Sequence, residues 1–249
     1  MNAMAELGRR LACMAEAFGA TFFGVADLTL PRVHDFMAQQ AGSDEVRRYP
    51  RSLALGIALA NGIVDQLPRV RDLDDAAVAK TYWHHGYEVV NRRLDAIALR
   101  LANLLQAEGY RALPVPAAYH VDVGKHLGYV SNKLSAHLAG LGWIGKSCLV
   151  ITPQVGPRAR WATVLTDAPL TPGTPLDQRC GDCVICVETC PSQAFTGRNF
   201  VEDEPREARM IPQRCADHRA QRAKVLGEAI CGMCVYICPY GHKGATNKV

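Results

Sequence analysis

The chain has 249 residues, 49% of them hydrophobic and 21% charged, with a formal net charge of +4. That balance suits a soluble globular protein, either one large domain or a domain plus a small module, and excludes a low-complexity chain. The mild charge gives no electrostatic argument for nucleic-acid binding, and no apolar run reaches the roughly 18–20 residues that a membrane span needs.

The N-terminal stretch contains Glu6, Arg9, Arg10 and Glu16, so it lacks the apolar core of a secretory signal, and the expected location is cytoplasmic. Leu7, Leu11, Met14, Ala15 and Phe18 recur at helical spacing, with Gly19 placed to end the helix in a left-handed cap. Cys13 falls on that helix and is expected to be buried and inert. A strand follows from Thr21 to Ala26, then a helix opened by Pro31 and running through Gln40. SLALGIALA, residues 52–60, is a candidate buried strand. From Asp74 to Glu108 one long helix is expected, its stripe traced by Val78, Tyr82, Val89, Leu94, Ile97, Leu101 and Leu105.

Residues 112–117 read as a strand carrying prolines, hence near a sheet edge. After the polar stretch HVDVGKHLGYVSN come a short helix, Lys133 to Ala139, and strands at 148–152 and 161–166. Helices alternating with strands predict a layered α/β or α+β domain over residues 1–172, and the fold class expected for the whole chain is α+β. TPGTP, residues 171–175, looks like a linker, and residues 173–249 form a second module.

That module is defined by cysteine. The sequence has ten cysteines, which in a cytoplasmic setting point to metal ligands or catalytic thiols before disulfides. Eight lie between Cys180 and Cys238, while Cys13 and Cys148 stand alone. Cys180-x2-Cys183-x2-Cys186-x3-Cys190-Pro191 has the bacterial two-cluster ferredoxin spacing, in which the fourth cysteine serves the other cluster. Cys215 and Cys231-x2-Cys234-x3-Cys238-Pro239 complete the array. Tight x2 turns let successive thiolates reach neighbouring irons of one cube, and the x3 step with its proline turns the chain away. The expected ligand sets are Cys180, Cys183, Cys186 and Cys238 for one [4Fe–4S] cluster, and Cys190, Cys215, Cys231 and Cys234 for the other. A single tetrahedral zinc ion is poorly served by the triple run.

Residues 140–147, GLGWIGKS, match the P-loop pattern letter for letter. A phosphate loop needs a strand leading in and a helix leading out, so that helix amides meet the anion. Here the expected order is the reverse, which favours a tight helix-to-strand turn.

AGLGWIGKSCLVITPQVGPRARWATVLTDAPL, followed by CGDCVICVETCPSQAFTG and CGMCVYICPYG, resembles the epoxyqueuosine reductases and their relatives the reductive dehalogenases. The likeness is densest over residues 132–241 and weaker over AFGATFFGVADL and RYPRSLALGIAL. It implies a nitroreductase-like α/β domain, a ferredoxin-like two-cluster domain, and a cobalamin reduced by the clusters. Gly142, Trp143, Lys146 and Arg158 are then candidate corrinoid contacts, with Trp161 and Arg160 beside them. The family's acidic donor segment is missing: counting back from Trp143 at the family spacing lands on His126, with Asp122 out of register. His126 and Tyr129 are therefore the leading candidates for catalytic proton donor, followed by His120, His84 and Tyr82.

Three functions follow from the resemblance. The first is a cobalamin-dependent reductase of a small molecule, fed by an external low-potential donor. The second is an electron carrier that reduces a partner's corrinoid. The third is epoxyqueuosine reduction in tRNA, placed last because the donor segment departs and the sequence ends eleven residues after Cys238.

Overall fold

In the computed structural model, residues 3–30, 33, 43–119, 122, 124, 126–202 and 204–246 are described, residues 3, 43, 44 and 243–246 by backbone alone. The strands are β1 (Phe22–Asp27), β2 (Arg51–Ala58), β3 (Ala112–Val115), β4 (Trp143–Ile144), β5 (Val150–Ile151) and β6 (Ala159–Thr166). Contacts divide the chain into two compact units interleaved in sequence, one of residues 1–58, 91–143 and 160–177, the other of 59–90, 144–159 and 178–249. One edge, at 177/178, falls near the boundary expected after residue 172. The second unit also recruits two earlier segments, so no single cut separates the units.

The first unit is built on a four-stranded sheet ordered β1-β2-β6-β3. β2 is apolar at most positions and buried from Ser52 to Ile57, as a strand covered on both faces must be. β1 pairs with it antiparallel, setting Phe22 opposite Gly56 and Asp27 opposite Arg51, and the last pair is an ion pair at 2.8 Å. Gly56 leaves room for the Trp161 ring, which lies 5.5 Å from that of Phe22, centroid to centroid. β3 pairs antiparallel with β6 and sits at the sheet edge, where Pro114 breaks no inner ladder.

The helix Ala3–Ala17 buries Leu7, Leu11 and Ala15. Cys13, two residues from Leu11 and so roughly 200° around the helix, is exposed. The expectation that it is buried is corrected by that geometry. The helix Asn132–Leu138 opens on Ser131, whose hydroxyl accepts from the Leu134 N–H at 3.2 Å. It packs against β1 and β2, and Ser135 there shares a buried 2.7 Å hydrogen bond with Ser52. Residues 171–175 are no loose linker. The Gly173 N–H donates to Val25 O at 2.8 Å, and a Cβ at Gly173 would strike the carbonyl of Ala139.

The long helical segment is real but interrupted. A helix from Ala76 to Trp83 passes into a π-helical turn, His84–Val89, before Val90–Ala107. The wider turn shifts the register. Val89, expected on the buried stripe, is 39% exposed, while Leu94, Ile97, Leu101 and Leu105 are buried. The second unit has its own apolar core, in which Leu67, Val70, Val78, Ala79 and Tyr82 meet Leu226, Ile230 and Val235. The expected helix Pro31–Gln40 lies almost wholly outside the described residues. No helix among the described residues is long and apolar enough to cross a membrane.

Candidate metal centres and a cavity

Within the second unit the cysteine segment is mostly irregular backbone with short helical turns, because each pair of thiols with two residues between them needs a reversal. The Cys183 N–H donates to Cys180 O at 2.9 Å, and Gly181 adopts a φ of +49°. Cys186 lies on the turn Ile185–Glu188, Cys215 on the helix Pro212–Leu226 and Cys234 on the turn Met233–Tyr236. That last turn starts at Gly232, φ +77°, where a Cβ would stand 2.8 Å from Leu67.

The electrostatic surroundings of the thiols sort them into two groups. Cys186 is pushed up to about 12 by burial and then by Cys180, Cys238 and Cys183. Cys238 is raised by burial, with Cys180 and Cys183 adding to it. Cys231 is raised by burial, then by Cys215 and Cys190. Cys234 is raised by burial and then by Cys231, Cys215, Cys190 and, last, Cys186. The neighbours of Cys186 and Cys238 are thus 180 and 183, and those of Cys231 and Cys234 are 190 and 215.

Backbone N–H donors also reach three of these sulfurs. The Met233 N–H bonds to Cys231, those of Tyr240 and Gly241 to Cys238, and the Ala194 N–H approaches Cys190 Sγ at 3.5 Å. Partly buried thiols that repel one another's charge and meet N–H donors fit a polynuclear iron cluster, whose positive irons allow all the thiolates to form together. Among the described residues no three His, Cys, Asp or Glu converge on a point suited to a single metal ion.

The glycine-rich segment is a turn between the helix Asn132–Leu138 and β4, not a phosphate loop. Lys146 is 6% exposed, and its Nζ donates to Gly181 O at 2.7 Å. Arg158 is 1% exposed and forms an ion pair with Asp65 at 2.7 Å and a hydrogen bond to Asn61 at 2.9 Å. Trp143 is 1% exposed, and buried Gly142 offers its carbonyl to His137 Nδ1 at 3.0 Å. The side chains of Trp143, Lys146 and Arg158 are thus buried or already committed inside the protein, and Gly142 offers backbone alone. Arg160 donates to Asn91, and Trp161 is packed in the core.

The proton-donor candidates separate. Tyr129 lines a cavity of about 440 Å³ together with Glu45, Leu113, Pro114, Val115, Pro116 and Tyr119. Its phenol is raised by burial, then by Glu45 and Tyr49. His126 holds a φ of +52° in the small loop closed by the Asp122–Leu127 bridge and is not among the described wall residues. Tyr82 is a core residue, His84 faces Glu88 at 3.0 Å on the surface, and His120 lies outside the described residues. Glu45 escaped the sequence analysis because a lone Glu in SDEV carries no local signal of the cavity it faces.

Residues 179–241 match the family described as a 4Fe-4S double cluster binding domain. The chain is 26% identical over 222 residues to the epoxyqueuosine reductase of Listeria monocytogenes, an alignment covering 84% of this chain and 54% of that one. It spans about half the length of the curated relatives it matches. Two solved structures share the fold. A reductive dehalogenase described as B12-dependent aligns at TM-score 0.67 and 17% identity over 96% of this chain and 32% of its own. An epoxyqueuosine reductase bound to an epoxyqueuosine-modified tRNA-Tyr stem loop aligns at TM-score 0.59 and 18% identity, over 96% and 66%. The fold and the metal site define a double-cluster iron–sulfur protein. Its sequence is similar to epoxyqueuosine reductases and its fold to those enzymes and to reductive dehalogenases.

Proposed function

We propose that this protein is an iron–sulfur reductase of the epoxyqueuosine reductase type. In it Cys180, Cys183, Cys186 and Cys238 hold one [4Fe–4S] cluster, and Cys190, Cys215, Cys231 and Cys234 the other. The observation that carries the proposal is the sorting of the thiols into two sets, each drawing on distant parts of the sequence. When bound, such clusters accept and release single electrons. The chain's own part is to exclude water by burial, to offer N–H donors to three sulfurs, and to fix the Cys180 turn through Lys146. An external low-potential donor supplies the electrons.

Cobalamin enters this proposal through the likeness to a B12-dependent enzyme. The names of the relatives favour the epoxyqueuosine of tRNA as substrate. A second reading, reduction of a free small molecule, is supported by the mostly apolar cavity that Tyr129 lines, with its phenol held in the proton-carrying form at neutral pH.

Anaerobic reconstitution with iron, sulfide and cobalamin tests the core of the reading. About eight irons per chain are expected for two four-iron cubes; four irons, or stoichiometric zinc, overturn it. A corrin absorption band retained at unit stoichiometry supports the cobalamin step, and its loss favours the electron carrier. Restored queuosine in a reductase-deficient strain supports the tRNA substrate. Full clusters without restoration turn the assignment to the small molecule.

A further inference from the structure

The cavity next to β3 has a chemistry of its own. At about 440 Å³ it lies in the range of small-ligand pockets, ~300–1,000 Å³. Leu113, Pro114, Val115 and Pro116 supply an apolar wall, and the two prolines bring no N–H donor to it. Tyr119 and Tyr129 add aromatic rings on which a flat molecule can stack. Among the described wall residues Glu45 alone carries a formal charge.

Glu45 is held by Tyr49 and Arg48, and Arg111 also lies within electrostatic range of it. The Tyr49 hydroxyl donates to its Oε1 at 3.4 Å, and Arg48 approaches Oε2 at 3.4 Å with both side chains well exposed, at 65% and 39%. An exposed pair of this kind is screened and weak. The carboxylate therefore keeps its attraction for a cation in the cavity and its repulsion for an anion. The Tyr129 phenol, raised by burial and then by Glu45 and Tyr49, stays a neutral donor beside it.

We propose that this cavity binds a small planar aromatic molecule bearing a protonated amine, with the ring against Tyr119, Tyr129 and the 113–116 wall and the ammonium on Glu45. The proposal rests on the small-molecule reading above and names its substrate class: aromatic amines are accepted and aromatic carboxylates rejected.

The probes are tyramine and its carboxylate counterpart 3-(4-hydroxyphenyl)propionate, titrated calorimetrically into the full cluster-loaded chain. Tyramine is expected to bind saturably and at least tenfold more tightly, roughly what one charge-assisted hydrogen bond supplies. Glu45→Gln, which keeps the shape and removes the charge, should abolish that preference. Tyr119→Ala, at an exposed wall residue, should weaken both probes alike, and it provides a second reading if E45Q folds poorly. Equal affinity for the two probes, preference for the carboxylate, or a preference unchanged in E45Q overturns the proposal. Iron is counted on the same sample. Amine selectivity in a chain that holds no clusters would leave the pocket standing and sink the reductase, whereas eight irons without selectivity would do the opposite.

Discussion

The two units are held together by different physics. The sheet unit buries apolar side chains along whole elements: Leu53, Ala54 and Leu55 of β2, Ala162, Val164 and Leu165 of β6, and the Leu94–Leu105 stripe are all nearly or fully inaccessible. The cysteine segment, residues 178–241, buries only Ala194, Leu226, Ile230, Met233 and Val235 among its described hydrophobic residues. Its remaining order comes from short turns and from the helix Pro212–Leu226, around thiols that gather where a cluster would join them. A core of this kind is complete only with metal. It borrows its apolar support from residues 59–90 of its own unit.

Iron removal should break the symmetry of the two units most sharply. In small metal-dependent modules the free energy of metal binding is folding free energy, so chelation is expected to unfold residues 178–241 while β2 and β6 stay protected. Hydrogen exchange reads both regions in one experiment, and equal loss of protection would end the comparison. Cys190→Ala sharpens it further. Iron should fall to about four per chain, with the cluster of Cys215, Cys231 and Cys234 lost and that of its own CxxCxxC run kept.

Arg158→Met comes next. It leaves Asn61 and Asp65 without their donor at a fully buried position, at an expected cost of about 2–3 kcal/mol, discounted because Asp65 is half exposed. Arg158→Lys should rescue it only in part, since one nitrogen, Nη1, serves both Asn61 and Asp65, whereas only the guanidinium also reaches His242 Nδ1, through Nη2 at 3.4 Å. The rate of thermal cluster loss measures this within the cysteine unit, and wild-type kinetics would show the pair to be dispensable.

Gly56→Ala is the counterpart in the sheet unit. The new Cβ would lie 2.5 Å from Trp161 and 3.0 Å from Phe22, and overpacking of this kind costs about 1–3 kcal/mol. A lower urea midpoint in the sheet signal, with iron content unchanged, is the expected result. A loss of iron would mean that strain in the sheet does not stay there.

The smallest effect concerns Asp75, which caps the Ala76–Trp83 helix by accepting from Ala77 and Val78. Its carboxyl is held below the ordinary 3.8 by the Val78 N–H bond, with Arg69 and the Ala77 N–H contributing against the opposing effect of burial. A depressed folded value means that the stabilisation is present above pH 3.8 and fades as pH falls through the lower folded value. Asp75→Ala should remove that acid-range dependence and Asp75→Asn should keep the cap but not the dependence. Helix content measured between pH 5 and 2 distinguishes them.

The elements legible in the sequence were those with a strong local pattern. The continuous apolar run became β2, the proline-bearing strand became the sheet edge, and the order of helix and strand around GLGWIGKS ruled out a phosphate loop. The failures share a cause. Val89 closes a π-helical turn that no periodicity announces, and Cys13 sits two residues from Leu11 on a helix whose buried face is narrower than its apolar one. The 171–175 stretch has a linker's composition but packs against Val25 and Ala139.

What the sequence determined alone is the cysteine spacing, because ligand reach is a matter of a few covalent bonds and shows directly in the count of intervening residues. Which side chains are free to meet a ligand was decided by the tertiary structure. Lys146 and Arg158 read as available cations, yet folding buries them and pairs them with Gly181 O and Asp65. Glu45, distant in sequence from β3 and Tyr129, becomes the charge on their shared cavity. Burial and partnership depend on residues far away along the chain, and only the fold brings those residues into range.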